Sequence, residues 1–358
     1  AQVRLCSHRA AMLLLAPLRA PLRAPLGHRS VRACAPPADL PLNAIIIEEE
    51  DKDVWLEEQL EFNGLRADPR TPRALQMPIG SFELPNGRYG HAFQGGGVSL
   101  SSYDWEEAVD SGGRPGDSSR LALALDLLDS VNFLHCRGSP HLALDSQVVR
   151  VVPPSPAGPG ASGLARQRSR LQLVGLGAAV RLQSRVGRRA YQLPDNAVGF
   201  HAPELLGGVV IESNLRALLA ADSWSVGVLL AMILGGWSSS PFEAEADWGK
   251  GTFSAEAAVL RQQGAVQAAF GPFLYRLGKE SGGLLYRHGW LTQLLVGMLM
   301  PEAAERLTVH AAWKIARQAT AEELAAYRRA ARADSLPSSA DTPAAEDAAA
   351  ATRAARPP

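Results

Sequence analysis

The stretch HLALDSQVV, residues 141–149, places a histidine and an acid four residues apart, His141 and Asp145. A carboxylate is a group that can move protons, so the chemistry to weigh in this stretch is that of Asp145 as a general base. Between them stand Leu142 and Ala143, which can neither take a proton nor orient a hydroxyl. On an extended loop, positions i and i+2 project the same way, so Asp145 could act as a displaced base or bind a cation. The simpler expectation is a solvated loop acid, and for a lone histidine a structural role. Other polar clusters are weaker. Gly95, Gly96 and Gly97 in QGGGVSL lack a full phosphate-cradling G-x-G-x-x-G pattern, so they are expected to serve as a backbone hinge. RQRSR and RVGRR are basic segments that could receive an acidic or phosphorylated partner, though exposed charge is the plainer account. Cys6, Cys34 and Cys136 are scattered, with no C-x-x-C or Cys/His cluster, so no structural zinc or disulfide framework is expected.

The elements that must position these residues follow from periodicity. DVWLEEQLEFNGL puts Val54, Leu56, Leu60 and Phe62 near helical spacing, with Gly64 as the expected C-cap. QMPIGSFEL and RYGHAF read as strands joined by a PNG turn. After the glycines, Ser102 or Asp104 is the expected N-cap of a helix with Glu106 and Glu107 in its first turn. Leu121, Leu125, Leu128, Val131 and Leu134 mark a helix capped by Ser118 or Ser119 and stopped at Gly138. QVVRVV and LQLVGL are short strands flanking a Pro/Gly/Ser-rich loop. DSWSVGVLLAMILGG is apolar nearly all round, hence central. Its strongest run, VGVLLAMILGGW, is shorter than the roughly 18 residues of a membrane span. HGWLTQLLVGMLM and ERLTVHAAWKIARQ are further helices.

Composition sets outer bounds. The chain has 358 residues, 46% hydrophobic and 20% charged, which indicates a globular protein. Lys plus Arg and Asp plus Glu are each 36, so net charge gives no support for a nucleic-acid partner. The first acid is Asp39, while Arg4, Arg9, Arg19, Arg23, Arg29 and Arg32 punctuate Ala, Leu and Pro. Residues 1–38 therefore read as an organelle transit peptide. Pro17, Pro21 and Pro25 would break the amphipathic helix of a mitochondrial presequence, so a plastid is favoured and a mitochondrion is the alternative. Residues 335–358, an Ala/Pro-rich tail, are expected to be disordered.

Five blocks in order resemble the protein kinase superfamily. FLHCRGSPHLALDSQVV is similar to the catalytic-loop block, whose family form is H-R-D-L-K-x-x-N, and LQLVGLGAAV to the strand and D-F-G block. GFHAPELL carries the A-P-E signature as Ala202, Pro203 and Glu204. DSWSVGVLL resembles the central helix that begins at Asp222 and includes Gly227. LLVGMLMPEAAERLT resembles the last helical block, with Arg306. LGAAV and the late W-x-x-x-LL-x-x-M run further resemble thylakoid state-transition kinases. The resemblance implies an α+β, kinase-like bilobal fold with a reduced small β lobe, 43–100, and a mostly helical large lobe, 101–330. It also implies a Glu204–Arg306 buried ion pair, hydrogen bonds from the HLAL turn to Asp222, and His141 packed beneath that turn.

The same resemblance places Ala143 at the acceptor-side Asp, Val148 at the metal-binding Asn, and Gly175 at the D-F-G Asp. A second register puts Val174 at that last position. The phosphate-binding lysine should precede the first helix on a strand, yet no lysine occurs before Lys52. Without that partner, Glu57, Glu58 and Glu61 are expected to be a solvated face, and the start of the small lobe looks missing or unrecognisable. Phosphoryl transfer rests on these charges. The expectation is a pseudokinase that acts as a scaffold or regulatory binding module on a protein partner, without cofactor, metal, nucleic acid or membrane span. The alternative is a divergent Ser/Thr kinase using ATP and Mg2+.

Overall fold

The computed structural model describes residues 44–49, 52–84, 86–95, 97–105, 117–153, 169–176, 191–192, 199–205, 209–210, 215–242 and 265–335. The expected transit peptide, almost all of the expected tail, Gly96, the helix start at Glu106 and Glu107, the 154–168 loop, most of RQRSR and all of RVGRR lie outside them. Among the described residues the protein is α+β, with seven α-helices and three small sheets. The strands are β1 (Ile45–Glu49), β2 (Leu75–Gln76), β3 (Pro78–Glu83), β4 (Tyr89–Phe93), β5 (Val98–Ser99), β6 (Val149–Val152), β7 (Arg170–Val174), β8 (Tyr191–Gln192) and β9 (Val209–Val210). The helices are α1 (Lys52–Ala67), α2 (Asp117–Cys136), α3 (Leu215–Gly235), α4 (Ala265–Glu280), α5 (Leu284–Arg287), α6 (Gly289–Met298) and α7 (Val309–Ser335).

The first sheet is antiparallel with order β1-β4-β3. The expected hairpin forms β3 and β4, and Gly87 supplies the left-handed residue of its turn at φ +74°. Strand β1, from the β-branched run Ile45–Ile47, was not expected. The chain thus does place a strand ahead of α1, but with isoleucines where the expected phosphate-binding position would carry a lysine. Helix α1 lies on this sheet through Val54, Glu58, Phe62 and Leu65, and Leu56 and Leu60 face outward. Its buried stripe therefore sits on a different face from the one the apolar residues suggested. Gly64 lies inside α1 rather than capping it, and the helix ends before Asp68 and Pro69.

The second sheet has order β2-β7-β6-β5, with β2 parallel to β7 and the other pairs antiparallel. QMPIGSFEL is accordingly split, because Leu75–Gln76 joins this sheet and Pro78 begins β3. Gly97 is tightly packed: a Cβ there would stand 3.0 Å from the Val151 carbonyl oxygen. Arg150 donates to the Gly97 carbonyl at 2.6 Å. Close approach of two backbones, not hinge freedom, explains that glycine; Gly95 is half-buried.

Helix α3 is the centre of the helical part and touches α2, α4, α6 and α7. It runs 21 residues, longer than its strongest apolar run suggested, and is long and apolar enough to cross a membrane by length and composition. Since 89% of its apolar window is buried inside the protein, packing accounts for that character. Gly227 permits its contact with α6, because a Cβ there would lie 2.9 Å from Leu299. Ser118 and Ser119 fall within α2, not at its cap. Gly138 is the stop, at φ +74°, with Ser139 N–H bonded to the Leu134 carbonyl and Gly138 N–H to that of His135. These two bonds make a Schellman motif, which turns the chain directly into the 141–148 loop.

Candidate functional site

The loop after α2 is built around one carboxylate. Asp222, fully buried on α3, accepts from the backbone N–H groups of His141 at 2.5 Å and Leu142 at 2.6 Å. Its Oδ2 also lies 3.0 Å from His135 Nε2, in the last turn of α2. The hydrogen bonds expected of Asp222 are present, and His135 is a partner that sequence reasoning missed. A histidine one turn before a helix stop could have raised the question. Leu142 has φ +57°, the one non-glycine residue with positive φ among those described. Such a conformation costs about 1–3 kcal/mol and persists only where surroundings over-determine it. The two amides held by Asp222 supply that determination. His141 completes the turn, since its Nδ1 accepts from the Ala143 N–H at 3.3 Å. An accepting Nδ1 leaves the proton of neutral His141 on Nε2.

Asp145 departs from expectation. It is buried, not solvated, and its Oδ1 accepts from Gln147 N–H at 2.7 Å and Val148 N–H at 3.0 Å. Burial pushes its carboxyl above the ordinary value, and the two backbone hydrogen bonds oppose that shift. The side chain therefore organises its own turn, in the manner of an Asx turn. Val148 packs against the core, and its carbonyl accepts from the Val174 N–H at 2.9 Å. Ala143 is buried as well.

Gly175 follows β7 at φ +84°. A Cβ there would stand 2.9 Å from Ile47 Cδ1. The strand before α1 thus lays an isoleucine against the very glycine that ends β7. Lys52 is exposed at the start of α1, and Glu61 faces Arg137 at 3.2 Å. Glu58 is buried, contrary to the expected solvated face, and lies 3.2 Å from His91 Nε2. Ile47 is the site residue that sequence reasoning overlooked; the Ile45–Ile47 run was its signal.

The other sequence-selected residues form a second centre. Arg306 grips Glu204 with two hydrogen bonds, 2.7 and 3.0 Å, and also donates to the carbonyls of Ala220, Met300 and Pro301. Its guanidinium lies over the Trp224 ring at 5.4 Å. The expected pair is present, but only Arg306 is fully buried; the Glu204 side chain is 22% exposed. Ala202 and Pro203 are buried, and Pro203 begins the short 3-10 turn that carries Glu204. Ser225 and Ser240 tie the segment before them to the helical core by donating to the Phe200 and Gly199 carbonyls.

The structure brings His141, Ala143, Asp145, Val148 and Asp222 together in one turn and brings Gly175 against Ile47. Glu204 and Arg306 lie in a separate lock. Among the described residues no group of three or more His, Cys, Asp or Glu side chains is placed to hold a metal ion. Chemically, the turn satisfies backbone donors with two carboxylates, Asp222 for His141 and Leu142 and Asp145 for Gln147 and Val148. No family model and no curated protein matches the chain.

Proposed function

We propose that the chain is a catalytically impaired protein-kinase-fold protein, a pseudokinase that serves as a scaffold or regulatory binding module for a protein partner in a plastid. In this reading, β1, β3, β4 and α1 form a reduced small lobe, and α2 to α7 the large lobe. The observation that carries it is the contrast within one constellation. The Asp222-held turn and the Glu204–Arg306 pair are kept, while Ala143, Val148 and Gly175 carry no charge and Ile47 packs on Gly175.

Magnesium-ATP does not fit this donor set. A triphosphate needs counter-charge and metal ligands, and bringing it beside alanine, valine, glycine and isoleucine leaves its charges uncompensated. The alternative, a divergent Ser/Thr kinase, would rest on Asp145 as base. Its Oδ1 already accepts two backbone hydrogen bonds that shape the loop, which leaves it poorly placed for that work.

Thermal unfolding with and without magnesium-ATP tests the reading. No stabilisation is expected; a magnesium-dependent rise in Tm would overturn it. Transfer of labelled phosphate to a generic acceptor, lost on Asp145→Ala, would establish the alternative. The plastid assignment rests on the composition of residues 1–38, and import of a fluorescent fusion into isolated plastids checks it.

A further inference from the structure

Away from the loop, the small sheet carries a Ser–His–Glu relay. Ser81 on β3 and His91 on β4 are direct cross-strand partners. Ser81 Oγ lies 2.8 Å from His91 Nδ1, and His91 Nε2 lies 3.2 Å from Glu58 Oε2 on α1. The second contact is an ion-pair contact between the carboxylate and the imidazole. His91 and Glu58 are almost fully buried, at 1% and 2%, whereas Ser81 is exposed on the edge strand. The imidazole is fixed by rings on two sides, Trp55 at 6.1 Å and Phe62 at 5.3 Å.

The arrangement has a chemical direction. An ionised carboxylate beside Nε2 favours the tautomer with its proton on Nε2 and stabilises an imidazolium if one forms. Nδ1 then presents its lone pair to the serine hydroxyl. A nucleophile within hydrogen-bond reach of a base, itself oriented by a third group, is the arrangement of an activated serine. The only solvent-facing atom group of the three is the nucleophile.

We propose that Ser81 is a nucleophilic serine that accepts acyl groups from small activated carboxylic esters, with His91 as its base and Glu58 as a positioning residue. Ser81 Oγ bonds to the ester carbonyl carbon as its proton passes to His91 Nδ1. The acyl carbon–oxygen bond then breaks, and the departing alkoxide takes that proton from the imidazolium. Water, deprotonated by the same nitrogen, attacks the acyl-serine, releases the carboxylic acid and returns the proton to Ser81. This site is separate from the 141–148 loop and does not depend on the pseudokinase reading.

The test uses the full chain with p-nitrophenyl acetate, followed by nitrophenol release and peptide mapping for acetyl-serine. General-base assistance contributes about 10²–10⁴-fold, so Ser81→Ala and His91→Gln should lower release by at least about a hundredfold. Glu58→Gln should lower it less. Circular dichroism of each variant separates lost reactivity from lost fold, and Ser81→Ala, at an exposed position, keeps the test decisive if a core variant unfolds. Release no faster than buffer, or an unchanged rate in Ser81→Ala, overturns the proposal. An acetyl group mapped to Ser81 that disappears in His91→Gln upholds it.

Discussion

The turn beneath Asp222 and the contact between Ile47 and Gly175 treat charge in opposite ways. In the first, a fully buried carboxylate is retained and surrounded by donors from His135, His141 and Leu142. In the second, a methyl group closes on a backbone with no polar side chain at either position. A buried charge is held only where enough partners meet it. The difference teaches that polar groups persist here for the backbone's sake. On the proposed reading, those that would have served a nucleotide have gone.

Removing the carboxylate should give the largest effect. Asp222→Ala strands two buried amides and the His135 ring and releases the left-handed Leu142. A loss of about 3–5 kcal/mol is expected by chemical denaturation. Asp222→Asn should fall between the two, since one amide oxygen replaces two carboxylate oxygens. The lock at Arg306 comes next: Arg306→Ala should cost about 2–4 kcal/mol, because three carbonyls and Glu204 lose their donor. Glu204→Gln should cost only about 1 kcal/mol, since its side chain is partly exposed. An equal loss from both would mean that the pair itself, not the carbonyl contacts, holds the segment.

The apolar side of the comparison is sharpened by Gly175→Ala. It adds a methyl group where Ile47 Cδ1 already stands and forces alanine to φ +84°. About 1–3 kcal/mol should be lost. Ile47→Val in the same chain should return only the steric share, so the double variant separates clash from backbone strain. If Ile47→Val returns nothing, the contact is looser than described.

The smallest effect concerns Asp145 and is read by pH. Its folded-state pKa is raised by burial, so the folded protein holds the proton more tightly than the unfolded chain does. The group's contribution is therefore fully present below its unfolded pKa and is lost as pH rises through the raised folded value. Asp145→Asn keeps an oxygen for the two amides and removes the ionisation. It should match or exceed the parent in stability at neutral pH, with the gap narrowing on acidification. A gap that widens on acidification would contradict the direction of the shift.

Much of the helical part was legible because its signals are local. Gly138 stops α2 where the periodicity ends, and the apolar faces of α2 and α3 need no long-range information. The β3–β4 hairpin announced itself through Asn86 and Gly87. What escaped is non-local. Whether Leu56 or Glu58 faces the sheet depends on His91, 33 residues away in Glu58's case, and a buried glutamate reads as a surface one until its partner is known. Asp145 is buried because the chain folds over it, and the Ser146–Gln147 pair that follows it in sequence conceals that. Ile45–Ile47 escaped because so short an apolar run declares no strand until its partner β4 is known. The Glu204–Arg306 and Asp222 contacts were anticipated only through the kinase resemblance, as neither pair is close in sequence.

Helix α3 has a consequence for how the chain must be made. Two of the surfaces that cover it, α6 and α7, are translated after it, at 289–298 and 309–335. Until the ribosome has delivered them, one of the most apolar segments of the chain emerges with bare flanks. Synthesis therefore includes an interval in which the nascent protein depends on chaperone holding or on speed, and a chain halted near residue 288 should aggregate rather than fold.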